Sequence, residues 1–226
     1  MPQYFHRVTL CIRANGIFLI PFIVLWLAGL TYVLTHDKEV PHLLLNEVHT
    51  PFFNTFFRYI TEIGSTVPVF ICVLLLFVRV RGAVFAMTTC LTASTVTSIL
   101  KEIFAVPRPK VLLEQLGYQL VSVEGVHLHT TNSFPSGHTT AAFALCFSIA
   151  VLVKNRFAKV ALLLIAVLVG CSRIYLGQHF LEDVLAGSLI GLTAVLLMTP
   201  FFDDSKHWGC GSLQSYLCRH QSPKRD

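Results

Sequence analysis

The sequence predicts an all-α, polytopic membrane protein of six transmembrane helices, and three observations lead there. First, 54% of the 226 residues are hydrophobic and only 13% are charged, where a soluble domain carries about a quarter charged residues. Mean hydropathy is +0.67. Second, the apolar residues fall into runs near the ~20 residues that cross a hydrocarbon core. Third, Lys and Arg gather in the short segments between runs, more on one side than the other. The spans consume most of the length, so residues 1–226 read as a single domain.

The first run, about residues 17–34, follows Arg7 and Arg13. It is too long for a signal h-region and lacks a small-residue cleavage site, so it reads as a span over 15–35. Residues 36–61 then form an outer loop. Within it Phe52, Phe53, Phe56 and Phe57 recur at the spacing of one aromatic helix face. With Arg58 and Tyr59 beside them, they suit a short helix in the interface plane, and equally a helix packed between spans. Further spans read at 62–78 and 83–105, the latter stopped by Pro107 and Pro109, which hold Arg108 on a stiff extended turn. A loop of moderate length, carrying His127 and His129, leads to spans at 138–153, 158–176 and 183–202. From about 203 the chain is a polar cytoplasmic tail. Of the seven cysteines, Cys72, Cys90, Cys146 and Cys171 lie in apolar runs as small hydrophobes, and Cys11, Cys210 and Cys218 lie near the termini. Their spacing suggests neither a metal site nor a disulfide framework.

Orientation follows from the loop cations. Arg7, Arg13, Arg79, Arg81, Lys154, Arg156, Lys159, Lys206, Arg219, Lys224 and Arg225 share one side; Lys38, Arg58, Lys101, Arg108, Lys110 and Arg173 share the other. The richer side is cytoplasmic, with both termini inside. The basic tail reads as a topology and headgroup anchor, not a nucleic-acid site.

Three segments at the outer edge of the apolar runs hold the chemistry, and a charge at that depth needs a partner or a task. His179 and Asp183 stand four apart at the start of the sixth span, one above the other on a helix. A carboxylate on one imidazole nitrogen raises the basicity of the other, making a nucleophile toward phosphorus. The same pair equally fits a helix cap. Ser136 suits an N-cap, Gly137 lets a ligand approach the backbone, and His138 suits a general acid at that anion-binding helix start. Alone, these residues fit a simple cap. Lys101, Arg108 and Arg173 supply cations that match phosphate oxygens, although an isolated Lys101 would read as a snorkelling side chain.

Taken together, Lys101, Arg108 and Pro109, then Pro135, Ser136, Gly137 and His138, then Ser172, Arg173, His179 and Asp183 resemble the three signature motifs of the type 2 phosphatidic acid phosphatase (PAP2) superfamily. The likeness spans residues 101–187, in the family's order, with no departure at a motif position. It implies a six-helix membrane fold and metal-independent, cofactor-free removal of phosphate from a lipid phosphate or diphosphate. The expected substrates are of the undecaprenyl pyrophosphate, phosphatidylglycerophosphate or phosphatidic acid class. The resemblance makes His179 the nucleophile supported by Asp183, and His138 the acid for the leaving group. It makes Lys101, Arg108, Ser136, Gly137 and Arg173 the phosphate ligands. A compact chain suits the bacterial members, in the inner membrane with the site facing outward. A lipid A phosphatase or a lipid-to-lipid phosphotransferase is the alternative on the same residues.

Overall fold

The computed structural model describes residues 2–202, within which every regular element is a helix. The polar tail expected from about 203, with Cys210 and Cys218, lies outside the described residues. In order the helices are α1 (Pro2–Ala14), α2 (Gly16–Thr35), α3 (Val40–Asn46), α4 (Pro51–Ile60), α5 (Val67–Val78), α6 (Val80–Phe104), α7 (Pro109–Gln115), α8 (Gly137–Leu152), α9 (Arg156–Tyr175) and α10 (Leu181–Met198). A 3₁₀ turn, Thr61–Gly64, joins α4 to α5.

Local chemistry sets several of these boundaries. Thr50 accepts a hydrogen bond from Phe53 N, and Pro51 takes the first position of α4. Asn155 caps α9 through Phe157 N and Ala158 N at 2.8 and 3.2 Å. Helix α6 ends at Ala105 in the left-handed conformation, φ 45°, two residues before Pro107. The aromatic segment forms a helix as expected, with Phe52 and Tyr59 exposed on it.

Four helices, α2, α6, α9 and α10, are long and apolar enough to cross a membrane, and a fifth span results if the α4–3₁₀ segment and α5, bent by 53°, count as one. The span expected at 62–78 is therefore broken: Gly64 and then Pro68 in the first turn of α5 interrupt the helical run. The helix expected at 138–153 is present as α8, but its 16 residues fall short of a full span. It needs no hydrocarbon-facing band, because α6, α9 and α10 pack around it and Thr139, Ala142, Phe143, Ala144 and Phe147 are all buried. Helices α1, α3 and α7 were not anticipated.

Lipid tails are as apolar as leucine, so packing between spans depends on close fit. Gly187 and Gly191, one turn apart on α10, press against α8. A Cβ at Gly187 would lie 2.6 Å from Ser136 O, and one at Gly191 2.6 Å from Thr140 O. Around this seam a phenylalanine cluster fills the bundle, with Phe18 against Phe147 at 4.9 Å and Phe22 against Phe143 at 5.4 Å. At the end of the bundle where α1 lies, two cations of the side read as cytoplasmic are buried, Arg81 in α6 and Lys159 in α9. Lys159 Nζ donates to Ala14 O at 2.9 Å and Asn15 Oδ1 at 2.6 Å, fastening the α1–α2 joint to α9.

Candidate active site

The motif residues meet at the opposite end of the bundle. Lys101 stands in the last turn of α6, Arg108 at the N-cap of α7, Ser136 to His138 at the start of α8, Arg173 near the end of α9, and Asp183 in the first turn of α10. His179 differs from expectation. It precedes the N-cap Phe180 and so is not on the helix; Gly177, at φ 63°, turns the chain to bring it back.

His179 Nδ1 nevertheless faces Asp183 Oδ2 at 3.3 Å, with both side chains almost wholly buried. The same oxygen accepts from Phe180 N at 3.0 Å and from Ser133 Oγ at 2.5 Å. The helix cap and the histidine contact weighed as alternatives are thus one arrangement. Asp183 Oδ1 has no hydrogen-bond partner among the described residues. Burial, followed by the charges of Arg173, Arg108 and Lys101, holds the His179 imidazole well below its usual pKa. The ring is therefore neutral at pH 7 and keeps a nitrogen lone pair.

Carbonyls of the segment before the Pro135 turn hold two of the cations. Lys101 Nζ donates to Asn132 O at 2.8 Å. Arg108, extended at φ −85° and ψ 165° as its flanking prolines require, donates from its backbone N to Thr130 O at 3.0 Å and from Nε to Thr131 O at 2.9 Å. Its Nη1 donates to Gln178 O at 3.1 Å and Gln178 Oε1 at 2.9 Å. Burial lowers the Arg108 pKa, and the Asp183 carboxylate partly offsets that; a guanidinium stays charged at any working pH. Arg173 Nη1 donates to Thr61 Oγ1 at 2.7 Å, and its Nε has no partner among the described residues.

Ser136 caps α8 as expected. Its hydroxyl is turned to Thr139, at 2.9 Å from Oγ1 and 3.4 Å from N. Its own N donates to Asp183 O at 3.0 Å, which locks this turn to the start of α10. A Cβ on Gly137 would stand 3.9 Å from Lys101 Cε and Thr97 Cγ2, at van der Waals contact, so the lysine stem passes directly beside this backbone turn. His138 is half-buried, within reach of the charges of Arg173, His179, Arg108 and Lys101. Gly64 packs its backbone onto the His138 carbonyl, leaving no room for a side chain. Sequence reasoning missed Ser133, Gln178 and Thr61. The available signal was position for two of them, Ser133 just before the second motif and Gln178 inside the third, whereas Thr61 lies far from every motif; which partner each would meet was not readable. Among the described residues no group of three His, Cys, Asp or Glu could hold a metal ion.

The PAP2 superfamily family model matches residues 82–207, more than half of the chain and every motif residue of the site. The chain belongs to the PAP2 superfamily. This PAP2 chain is 41% identical over 71 residues to the undecaprenyl-diphosphatase BcrC of Bacillus subtilis (strain 168), a match covering 31% of this chain and 36% of that one. It therefore spans about a third of the length of that curated relative. Two solved structures resemble the PAP2 bundle. LpxE of Aquifex aeolicus matches with TM-score 0.61 and 29% identity over 69% of this chain and 90% of that one. A transmembrane PAP2-type phosphatidylglycerolphosphate phosphatase from Bacillus subtilis matches with TM-score 0.62 and 26% identity over 87% and 99%.

Proposed function

We propose that this PAP2 protein hydrolyses a lipid phosphate or diphosphate through a phosphohistidine on His179. The observation that carries this is the neutral, buried His179 held against Asp183 at 3.3 Å beside Lys101, Arg108 and Arg173. The cations and the backbone N–H groups opening α8 bind the phosphate and stabilise the charge that spreads over its oxygens. His179 Nε2 attacks the terminal phosphorus, so a P–N bond forms as the P–O bond to the leaving lipid alcohol, or to the lipid monophosphate of a diphosphate, breaks. His138 gives its proton to the leaving oxygen, and Asp183 stabilises the charge that develops on the His179 ring. Water then attacks the phosphohistidine, His138 takes its proton, and orthophosphate leaves. No step calls for a metal.

The similarity to an undecaprenyl-diphosphatase and a phosphatidylglycerolphosphate phosphatase supports a lipid with a terminal phosphate or diphosphate as substrate. In this reading six helices cross the bilayer, with α8 and the bent α4–α5 unit completing the set. Both termini are cytoplasmic, and the site faces outward across a bacterial inner membrane, in keeping with the cation bias of the loops.

The test is phosphate release by detergent-purified protein, with EDTA present, from undecaprenyl pyrophosphate, phosphatidylglycerophosphate, phosphatidic acid and lipid A. Release that survives EDTA and is lost in His179→Ala is the expected result. Activity abolished by EDTA, or retained by His179→Ala, would remove this mechanism.

A further inference from the structure

We propose that Gln178 is a positioning residue that aims the Arg108 fork at the phosphate; this rests on the reading of the site as a phosphate-binding centre. Gln178 is 2% exposed, and both ends of its amide are bonded. Oε1 accepts from Arg108 Nη1 at 2.9 Å and Nε2 donates to His127 O at 2.9 Å. Its main chain is equally engaged: N donates to Arg173 O at 2.9 Å, and O accepts a second bond from Arg108 Nη1 at 3.1 Å. One residue thus touches the first motif, the third motif and the segment that runs along the cations, directly before His179.

The consequence is geometric. A guanidinium has five N–H groups in a rigid plane. In Arg108, Nε–H goes to Thr131 O and both Nη1 hydrogens go to Gln178. Three bonds on one plane fix its orientation, and among the described residues the pair on Nη2 is left for a ligand. With only the backbone carbonyl of Gln178 on that side, the guanidinium could rotate about its long stem, and ordering it would then oppose phosphate binding. The bond from Nε2 to His127 O holds the acceptor end in place. Without it the amide could flip and present its NH₂ to a cation.

This role predicts a coupling that a merely structural one does not. Binding of inorganic phosphate to the full-length protein in detergent is measured by thermal stabilisation or calorimetry, which needs no turnover. Gln178→Met is expected to weaken binding about tenfold in the native background, the order of one hydrogen bond to a charged group, and less than twofold in an Arg108→Ala background. Gln178→Glu keeps an acceptor but places a fixed anion against Arg108, so it should weaken phosphate binding at least as much as Gln178→Met. Equal losses from Gln178→Met in both backgrounds, or native affinity in Gln178→Glu, would overturn the proposal. Failure of the phosphatase reading would appear separately, as wild-type protein that binds phosphate yet releases none from lipid.

Discussion

Asp183 Oδ2 accepts three donors, Ser133 Oγ, Phe180 N and His179 Nδ1, so its position is set in part by two residues the motifs do not include. Ser133→Ala removes one donor and frees the carboxylate to drift from His179; kcat should fall about tenfold with little change in KM, read from steady-state phosphate release. Asp183→Asn should cost about 10²- to 10⁴-fold in kcat, because it removes the charge that supports a cationic imidazole. A separate prediction concerns His42 on α3, edge-on to Phe180 at 5.4 Å and 2% exposed. Burial lowers its pKa to about 4, with Asp183 and a bond to the Ile174 main chain pulling the other way. The unfolded chain has an ordinary histidine near 6.5, so between pH 6.5 and 4 it binds the proton that the folded chain refuses. Stability therefore falls as the pH drops through that window, by up to about 1.4 kcal/mol per unit from this group. His42→Leu should flatten the fall, measured as melting temperature at pH 7, 6 and 5; an unchanged slope would contradict the assignment.

At the level of elements, the contact between α8 and α10 holds the site. Asp183 and the Ser136 turn belong to different helices, joined by Ser136 N to Asp183 O at 3.0 Å, and the glycines below them let the axes close. A Cβ at Gly187 would meet Ser136 O at 2.6 Å and Thr140 Oγ1 at 3.0 Å; one at Gly191 would meet Thr140 O at 2.6 Å and Ala144 N at 2.9 Å. Because backbone atoms cannot rotate aside, each Ala substitution should destabilise by about 1–3 kcal/mol in detergent unfolding. Gly187→Ala should lose more activity than Gly191→Ala at equal loss of stability, since it lies under the Ser136 turn. Equal activities would mean that the seam supports the fold and not the site. This contact could not be read from the sequence. Two glycines four apart suit a close helix pair, but many helices could be the partner.

Across the whole molecule, the buried cations Arg81 and Lys159 and the cations of the site lie at opposite ends of one bundle, and the topology is testable on that basis. With the site facing outward, a cysteine replacing Lys110 on α7 should react with a membrane-impermeant maleimide in intact cells. One replacing Lys154, between α8 and α9, should react only after lysis; the reverse pattern would invert the orientation. Composition and local patterning carry the membrane class, most of the long apolar runs to within a few residues, and the motif residues that share one end, but not α1, α3 or α7. Those depend on composition, on the length needed to cross hydrocarbon, and on proline, glycine and capping side chains, which act locally. Tertiary structure alone decided that α5 is cut short and bent. It decided that α8 can be short because other helices enclose it, and that His179 reaches Asp183 from outside the helix. It also decided that Ser133, Thr61 and Gln178 hold the charged groups in place. Each of these depends on which backbone carbonyl or hydroxyl lies across a gap between segments tens of residues apart, and local spacing holds no record of that.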